Sequence, residues 1–522
     1  MSSLSNLRVR KTIGTRYKNF MPSGAGALFT IQIFSTLSYS VLYSTLILYA
    51  TQGLHLSDLY STSITGSFIA LNYFLHLLGG YIGGRYLSYR SLFCLAMLAQ
   101  MIGCALISIP EKTYLLWGLS VFLSGSGLNI TCINCLVTQL FEPDDKRRES
   151  AFLWNYSGMN IGFFIGFYLA GHFQLQQAYQ QLFLLSAVGN AIALALTLYN
   201  WKILEDRDTT YVNTHEDIKR RMRYIGIALI VTLIFALRIL LKHTDLCNDI
   251  IIIIGFAMLG LITTLTLKQP VAKQRQKMWA FIILALCSVI FWALYQLAPM
   301  GLNLFIQRNV DRHLLGFMIA PQWVQNINTI VIIIGGPVLS FVFSELRDRG
   351  VNINIPLQFS IALMLIGISL SILPIGIHFA DVNGLVNFNW ILASYGLLSL
   401  GELFLSPVGY AMVGQLAPVR LRGLMMGMWM MITGVAAIMS SYFSKIAIGN
   451  SLSTNPLATN PEFSHTFGML GLSSIGAGIL LFIAVPLVSK LCQEKTYRSL
   501  KQEDSPDTEH QDQLVTVHND VA

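Results

Sequence analysis

Long apolar segments alternate with short polar segments along most of the chain. The apolar segments are about 20 residues long or longer, which is the length an α-helix needs to cross the hydrocarbon core of a bilayer. We predict fourteen membrane-spanning helices, near residues 26–50, 60–84, 90–109, 114–140, 150–172, 178–200, 223–242, 249–267, 278–306, 321–346, 355–380, 387–415, 419–447 and 466–491. The pattern therefore predicts an all-α multi-pass membrane protein.

Composition supports a membrane protein rather than a set of soluble domains. Hydrophobic residues make up 54% of the 522 residues and charged residues 11%, whereas about a quarter of the residues in a soluble protein are charged. The sequence contains no P-loop, no G-x-S-x-G, no H-E-x-x-H and no His/Cys cluster with metal-ligand spacing. We therefore expect neither an enzyme nor a bound cofactor or metal.

The basic residues give the orientation of the fourteen helices. Cytoplasmic loops of membrane proteins carry an excess of Lys and Arg. If the N-terminus is cytoplasmic, 28 of the 34 basic residues fall in cytoplasmic segments. The six others are Lys112, Arg238, Lys242, Arg308, Arg312 and Lys445. We predict that both termini are cytoplasmic, and that the net charge of +8 reflects orientation rather than binding to nucleic acid.

The spans fall into two groups of six that are separated by an inserted pair. The predicted organisation is a cytoplasmic N-terminus at 1–25, a six-helix bundle at 26–200, a cytoplasmic linker and two-helix hairpin at 201–277, a second six-helix bundle at 278–491 and a disordered cytoplasmic tail at 492–522. A weak internal repeat agrees with it, since GGYIGGRYLSYR (79–90) and GGPVLSFVFSELRDRG (335–350) occupy equivalent places in the two groups.

Two ionisable residues lie deep inside predicted spans. Glu402 stands in LSLGELFLSPVGY (398–410), and a charge at the bilayer centre costs roughly 3 kcal/mol on insertion scales. Such residues usually mark a substrate or proton pathway, although a neutral Glu can also hydrogen-bond a neighbouring helix. His76, in NYFLHLLGGY (72–81), is a candidate proton relay or a packing residue with one interhelical hydrogen bond.

Polar and aromatic side chains within the spans are candidates for the lining of a central cavity. They are Tyr39, Tyr73, Asn160, Trp292, Tyr295, Gln296, Asn328 and Trp429. Singly, each is also compatible with an interfacial aromatic or a helix-bridging amide.

Three stretches resemble the proton-dependent oligopeptide transporter (POT) family of the major facilitator superfamily: 125–171, which begins GSGLNITCINC; 291–328, which begins FWALYQLAPMG; and 401–431, which begins GELFLSPVGYAM. The resemblance implies two six-helix bundles with an inserted hairpin, a feature of the family's bacterial members. It also implies a place in the bacterial inner membrane, and peptides and protons as partners.

The resemblance also assigns site residues. Glu402, Asn160 and Asn328 match the family residues that hold a peptide's amino terminus, and Tyr39, Tyr73, Trp292 and Trp429 match its pocket aromatics. We assign these residues with Tyr295 to substrate binding, and Glu402 with His76 to proton coupling.

The sequence departs from the family at the other end of the site. The family's E-x-x-E-R motif is replaced by QIFSTLSY (32–39), which offers only Gln32, Ser35 and Thr36. Its fourth-span Lys falls on Ile130, its first-span Arg on Tyr43, its motif-A Asp on Gly84 and its seventh-span Glu on Gln296. These positions imply that the amine end of the peptide site is kept and the carboxylate end is lost.

The predicted function is therefore secondary active transport, coupled to protons, of peptides or small amine-bearing solutes by alternating access. Two alternatives remain: an exporter or facilitator of other amphiphilic amines, and a non-transporting membrane receptor with the same fold. The direction of transport and the oligomeric state stay open.

Overall fold

The computed structural model describes residues 21–142, 145, 147–207, 209–314, 316–350, 353–449 and 453–492. The predicted disordered tail lies outside these residues except for Cys492, which ends the last helix, and most of the predicted cytoplasmic N-terminus lies outside them too.

Fourteen helices of 19 to 37 residues account for most of the described chain. They are α1 (Ser23–Leu48), α2 (Asp58–Ile82), α3 (Tyr89–Ile107), α4 (Lys112–Gln139), α5 (Arg147–Leu175), α6 (Tyr179–Tyr199), α7 (Glu216–Lys242), α8 (Thr244–Leu267), α9 (Ala272–Tyr295), α11 (Pro321–Asp348), α12 (Ile355–His378), α13 (Phe388–Leu416), α14 (Arg422–Ile448) and α15 (Pro456–Cys492). A short helix, α10 (Gly301–Asn309), follows α9. Twelve helices are long and apolar enough to span a membrane by length and composition alone, and α2 and α5 carry more polar residues. The predicted helical membrane protein is confirmed.

Two predicted spans differ from the helices that form. The segment 278–306 contains most of two separate helices, because α9 ends at Tyr295 and α10 begins at Gly301. Pro299 lies between them; it lacks an amide N–H and disfavours helical geometry at the residue before it. The last helix begins at Pro456 rather than near 466. Its first turns carry polar residues, so the start of the apolar segment does not mark the start of the helix.

The helices pack as two groups of six with a hairpin between them. In the first group, α3 packs on α4, and α1 packs on α5 and α6; in the second group, α12 packs on α13 and α15. The hairpin of α7 and α8 contacts both groups: α7 packs on α4, and α8 packs on α2 of the first group and on α9 and α14 of the second. The two groups meet through α2 with α14 and through α5 with α11.

Two β-strand pairs lie near α10. β1 (Val310–Asp311) pairs in parallel with β4 (Val386–Asn387), and β2 (His313–Leu314) pairs antiparallel with β3 (Phe317–Met318). We call the end of the molecule that carries these strands the α10 end. The opposite end carries residues 200–215 and is called the linker end.

The linker folds against the first group of helices. The Asp206 carboxylate accepts hydrogen bonds from the backbone N–H groups of Tyr89 (2.5 Å) and Arg90 (3.2 Å), at the N-terminus of α3. The guanidinium of Arg90 donates to the Trp201 carbonyl and lies over its ring, 4.3 Å from the centroid. Burial raises the pKa of the Asp206 carboxyl, and its two backbone hydrogen bonds oppose that shift. This carboxylate satisfies amide groups that a helix N-terminus leaves without intrahelical partners.

Candidate substrate site between the two groups of helices

Glu402 is held in place by two neighbouring helices. The Asn328 side-chain amide, on α11, donates to Glu402 Oε2 at 2.7 Å and lies 3.3 Å from the Ser399 hydroxyl. The Tyr295 hydroxyl, at the end of α9, lies near the same carboxylate. Glu402 is half-buried, so one face of the carboxylate remains accessible. Neutral donors therefore orient the acid without cancelling its charge.

Tyrosines from both groups of helices surround this carboxylate. Tyr43, Tyr73 and Tyr156 interact electrostatically with Glu402, and all three come from the first group. Tyr43 also crosses to the second group, where its hydroxyl donates to Gln296 Oε1 at 2.9 Å. In the described part of the chain, Glu402 takes part in no ion pair. Among the described residues, the site thus combines one carboxylate with several hydroxyls and no paired cation.

Comparison with known proteins identifies the family. The POT family model matches residues 89–455. The chain belongs to the POT family. It is therefore a multi-pass membrane transporter and not an enzyme, and the predicted family is confirmed.

Similar proteins agree over nearly the full length. The chain is 29% identical to "Dipeptide and tripeptide permease A" of Salmonella typhimurium over 91% of its length and 94% of that protein. It is 28% identical to the protein of the same name from Escherichia coli, with the same coverage. A POT family transporter solved with 5-aminolevulinic acid is 25% identical, with a TM-score of 0.77, over 90% of this chain and 97% of that one. A peptide transporter POT solved with sulfate superposes with a TM-score of 0.79 at 24% identity, over 90% and 96%. The fold is that of the major facilitator superfamily, as predicted.

The other assigned residues of this POT-family chain divide into two sets. Trp292 packs on Tyr295 with ring centroids 5.2 Å apart, and Tyr39 lies 5.9 Å from Tyr43, so both belong to the surroundings of the carboxylate. Trp429 is 5% exposed and packs on Phe359, and a Cβ at Gly409 would lie 1.9 Å from its ring. Its indole is therefore part of the packing between helices of the second group.

Asn160 and His76 make no described contact with Glu402. The Asn160 amide donates to the carbonyl of Tyr156, one turn earlier in α5, at 2.9 Å. His76 is 4% exposed and lies edge-on to Tyr73, with centroids 5.6 Å apart. Neither of its ring nitrogens has a hydrogen-bond partner among the described residues. A proton path between His76 and Glu402 stays a prediction.

Sequence reasoning missed Tyr156 and Tyr410. Tyr156 interacts electrostatically with both Glu402 and Tyr410, and Tyr410 interacts with Tyr73. A signal for Tyr156 was present, because residues four apart share a helix face and Tyr156 precedes Asn160 by four. Tyr410 follows Glu402 by two turns of α13, where Pro407 interrupts the regular helix.

The positions that replace the family's charged residues are neutral and mostly paired with each other. Gln32 donates to the Thr36 hydroxyl at 2.8 Å, and the Tyr43 hydroxyl donates to Gln296 Oε1 at 2.9 Å. Ile130 is half-buried on α4. The first group of helices therefore offers hydroxyls and amides toward the other half, but no positive charge from these positions.

Contacts between the two groups close the α10 end. Arg308 makes a two-bonded ion pair with Asp58, at 2.5 and 2.8 Å, and Trp323 stacks on Tyr168 with centroids 5.9 Å apart. Further toward the linker end, Tyr156 on α5 is 45% exposed although it lies near Glu402. The two groups of helices are thus in contact at the α10 end, whereas Tyr156, nearer the linker end, keeps much of its surface exposed.

Proposed function

We propose that this chain carries peptides or small amine-bearing, peptide-like solutes across the bacterial inner membrane by proton-coupled alternating access. The observation that carries the proposal is the half-buried Glu402 carboxylate, which accepts a hydrogen bond from Asn328, lies near Tyr295 and forms no ion pair among the described residues. An ammonium group is the complementary ligand, because charge-assisted hydrogen bonds to a carboxylate are stronger than neutral ones.

Proton coupling follows from the same feature, namely that no cation is paired with the Glu402 carboxylate. A carboxylate without a counter-charge in a low-dielectric site favours its neutral form, and a bound ammonium favours the ionised form. Glu402 accordingly holds a proton between substrates and releases it when the amine binds. Release of the substrate then allows the proton to return, which links the two movements at one group.

Alternating access requires the site to open to each side of the membrane in turn. The contacts at the α10 end and the exposed Tyr156 nearer the linker end fit one of the two states of an alternating-access cycle. The distribution of basic residues supports a cytoplasmic linker end, so this state faces inward.

Orientation is tested with single-cysteine variants of a background that lacks the seven native cysteines. We expect His215→Cys to be inaccessible to an impermeant reagent in sealed cells, and His243→Cys to react. External labelling of position 215 would contradict the orientation.

Transport is tested by uptake into sealed proteoliposomes with an imposed pH gradient, using a mixed library of dipeptides and amines. Uptake that depends on the proton gradient supports the proposal, and exchange of a proton for an ammonium at Glu402 predicts uptake that rises when the proteoliposome lumen is the more acidic side. Binding without flux points to a receptor. Flux of amphiphilic amines that ignores the gradient points to a facilitator, a reading favoured by the missing cation for a substrate carboxylate.

A further inference from the structure

Three of the six basic residues that break the positive-inside pattern collect at one place. Arg238 and Lys242 lie one turn apart at the end of α7, so they share a helix face. Lys112 begins α4, the helix on which α7 packs. All three lie near the α10 end, at the seam between the hairpin and the first group of helices.

Two aromatic side chains connect these cations. The Arg238 guanidinium lies over the Trp117 ring, 5.4 Å from its centroid, and the Lys112 ammonium lies over the Tyr60 ring at 4.3 Å. Tyr60 also interacts electrostatically with Arg238. Arg238 and Lys112 therefore both lie near Tyr60, so their two positive charges are close together.

No ion pair in the described chain involves this cluster. Asp58, which is close in sequence to Tyr60, is taken up by Arg308. Two nitrogens of Arg238, Nε and Nη1, are buried without a hydrogen-bond partner among the described residues. Burying a guanidinium without an anion is costly, so the arrangement points to a ligand that supplies the negative charge.

The surroundings indicate a lipid as the source of that charge. Phe235 and Ile239 flank Arg238 on α7 and are 55% and 57% exposed, which leaves an apolar surface directly beside the cations. Arg238 is about 6 Å from the end of its helix, within reach of the membrane surface for a long side chain. A phospholipid presents a phosphate and adjoining acyl chains in this order, whereas a soluble anion has no use for the apolar surface.

We propose that Arg238, Lys242 and Lys112 form a binding site for the headgroup of an anionic phospholipid in the leaflet at the α10 end. Arg238 stacks on Trp117 and meets the phosphate, Lys112 and Lys242 add charge around it, and Phe235 and Ile239 contact the acyl chains. The lipid then fills the seam between α7 and α4. It ties the hairpin to the bundle without touching the substrate site.

Native mass spectrometry of the full chain tests this site. The protein is released from detergent that contains equal amounts of phosphatidylglycerol and phosphatidylcholine. We expect the wild type to retain phosphatidylglycerol preferentially, and the double variant R238Q/K242Q to retain about tenfold to thirtyfold less, since each basic residue near an anionic lipid surface contributes roughly fivefold. Arg238→Lys keeps the charge and should keep much of the binding.

Lys445→Gln is the matched control. Lys445 is another of the six exceptions at the same end, but it lies over Tyr442 of its own helix and outside the cluster. Its variant should retain the anionic lipid like the wild type. If R238Q/K242Q is poorly folded by its melting curve, the exposed single variants Lys112→Gln and Lys242→Gln take its place and should each lose about fivefold.

Three outcomes would overturn the proposal. The first is equal retention of both lipids by the wild type, and the second is undiminished retention by the well-folded variants. The third comes from delipidated protein: if millimolar inorganic phosphate stabilises it as much as phosphatidylglycerol does, and only when the cluster is intact, the ligand is a soluble anion. Uptake activity enters none of these measurements, so they stand apart from the proposed transport.

Discussion

The two halves of the substrate site differ in charge. The half built from α9, α11 and α13 presents Glu402 with an amide donor at 2.7 Å. The half built from α1 and α4 presents Gln32, Thr36 and Ile130 at positions where the POT family carries charged residues, and the first two bond to each other. One half therefore keeps an unbalanced charge for a ligand, while the other uses its polar groups internally.

This difference concerns selectivity more than fold. Both halves are well packed, and the neutral half has lost charges without disturbing the helices that carry them. Under the proposed function, a substrate that binds between them would meet a carboxylate for its ammonium and only neutral hydrogen-bond partners at its other end. The asymmetry should therefore be visible in which ligands bind.

Removing the charge should have the largest effect. Glu402→Gln keeps the size of the side chain and a hydrogen bond to Asn328, but it loses the charge-assisted bond to an ammonium. We expect uptake to fall about tenfold to hundredfold, the equivalent of 1.5–3 kcal/mol. Uptake rates in proteoliposomes measure this loss.

Ser399→Ala is its matched control. It removes the longer 3.3 Å contact to Asn328 and the 2.7 Å hydrogen bond to the Tyr395 carbonyl of its own helix, but no charge, and should change uptake by less than the charge variant does. If Glu402→Gln transports at the wild-type rate, Glu402 is a packing residue and the charged half of the site has no role in binding.

The neutral half predicts a preference between two forms of one dipeptide. A C-terminal amide can be served by hydroxyls, whereas a free carboxylate must leave water without a cation to meet it. We expect the amidated form to compete about tenfold better in binding, because burying an unpaired charged acceptor is costly. The companion variant Ile130→Lys should shift the preference toward the free acid. A clear preference of the wild type for the free acid would mean that another cation serves that end.

The joint between the two halves can be loosened at the α10 end. Asp58→Asn removes the charge from the ion pair with Arg308, which is partly exposed. We expect about fivefold faster reaction of a cysteine placed at the buried Gln322, since a two-bonded charged pair of this kind contributes roughly 1 kcal/mol. Arg312→Gln is the control, because Arg312 bonds to the Ile319 carbonyl within its own loop. Equal labelling of both variants would show that the pair does not hold this end closed.

The smallest expected effect is on stability and comes from the linker, which contacts only the half of the molecule that carries the neutral side of the site. Asp206→Ala removes the acceptor for two amides at the start of α3 and should cost about 1 kcal/mol of stability. Asp206→Asn should retain most of it, as Asn caps helix ends about as well as Asp does. Melting curves in detergent compare the two. If both variants melt like the wild type, this contact does not stabilise the helix.

The sequence predicted the helices far better than it predicted the arrangement of the site. Long apolar segments locate spanning helices because each must satisfy its own backbone in lipid. The separation of α9 from α10 was missed although Pro299 marked it. Glu402 and Asn328 were matched to the right family positions, but which aromatic rings face them depends on helix rotation. Trp429, which packs on Gly409, and Tyr156, which lies near the carboxylate, illustrate this on two different helices.

The interface between the two halves at the α10 end is built so that it can separate easily. Asn303, Trp323 and Asn326 of one half donate to main-chain carbonyls of Ser44, Tyr168 and Phe164 in the other. These carbonyls lie inside helices, where each already accepts the bond of its own turn and lends only a second lone pair. When the two halves separate, each carbonyl keeps its hydrogen bond within the helix, and only the three side-chain donors need new partners in water. Such an interface can form and separate repeatedly. The three hydrogen bonds fix the register of the two halves when they are in contact, yet little free energy is needed to separate them. The bonds also do not depend on which side chains the accepting helices carry.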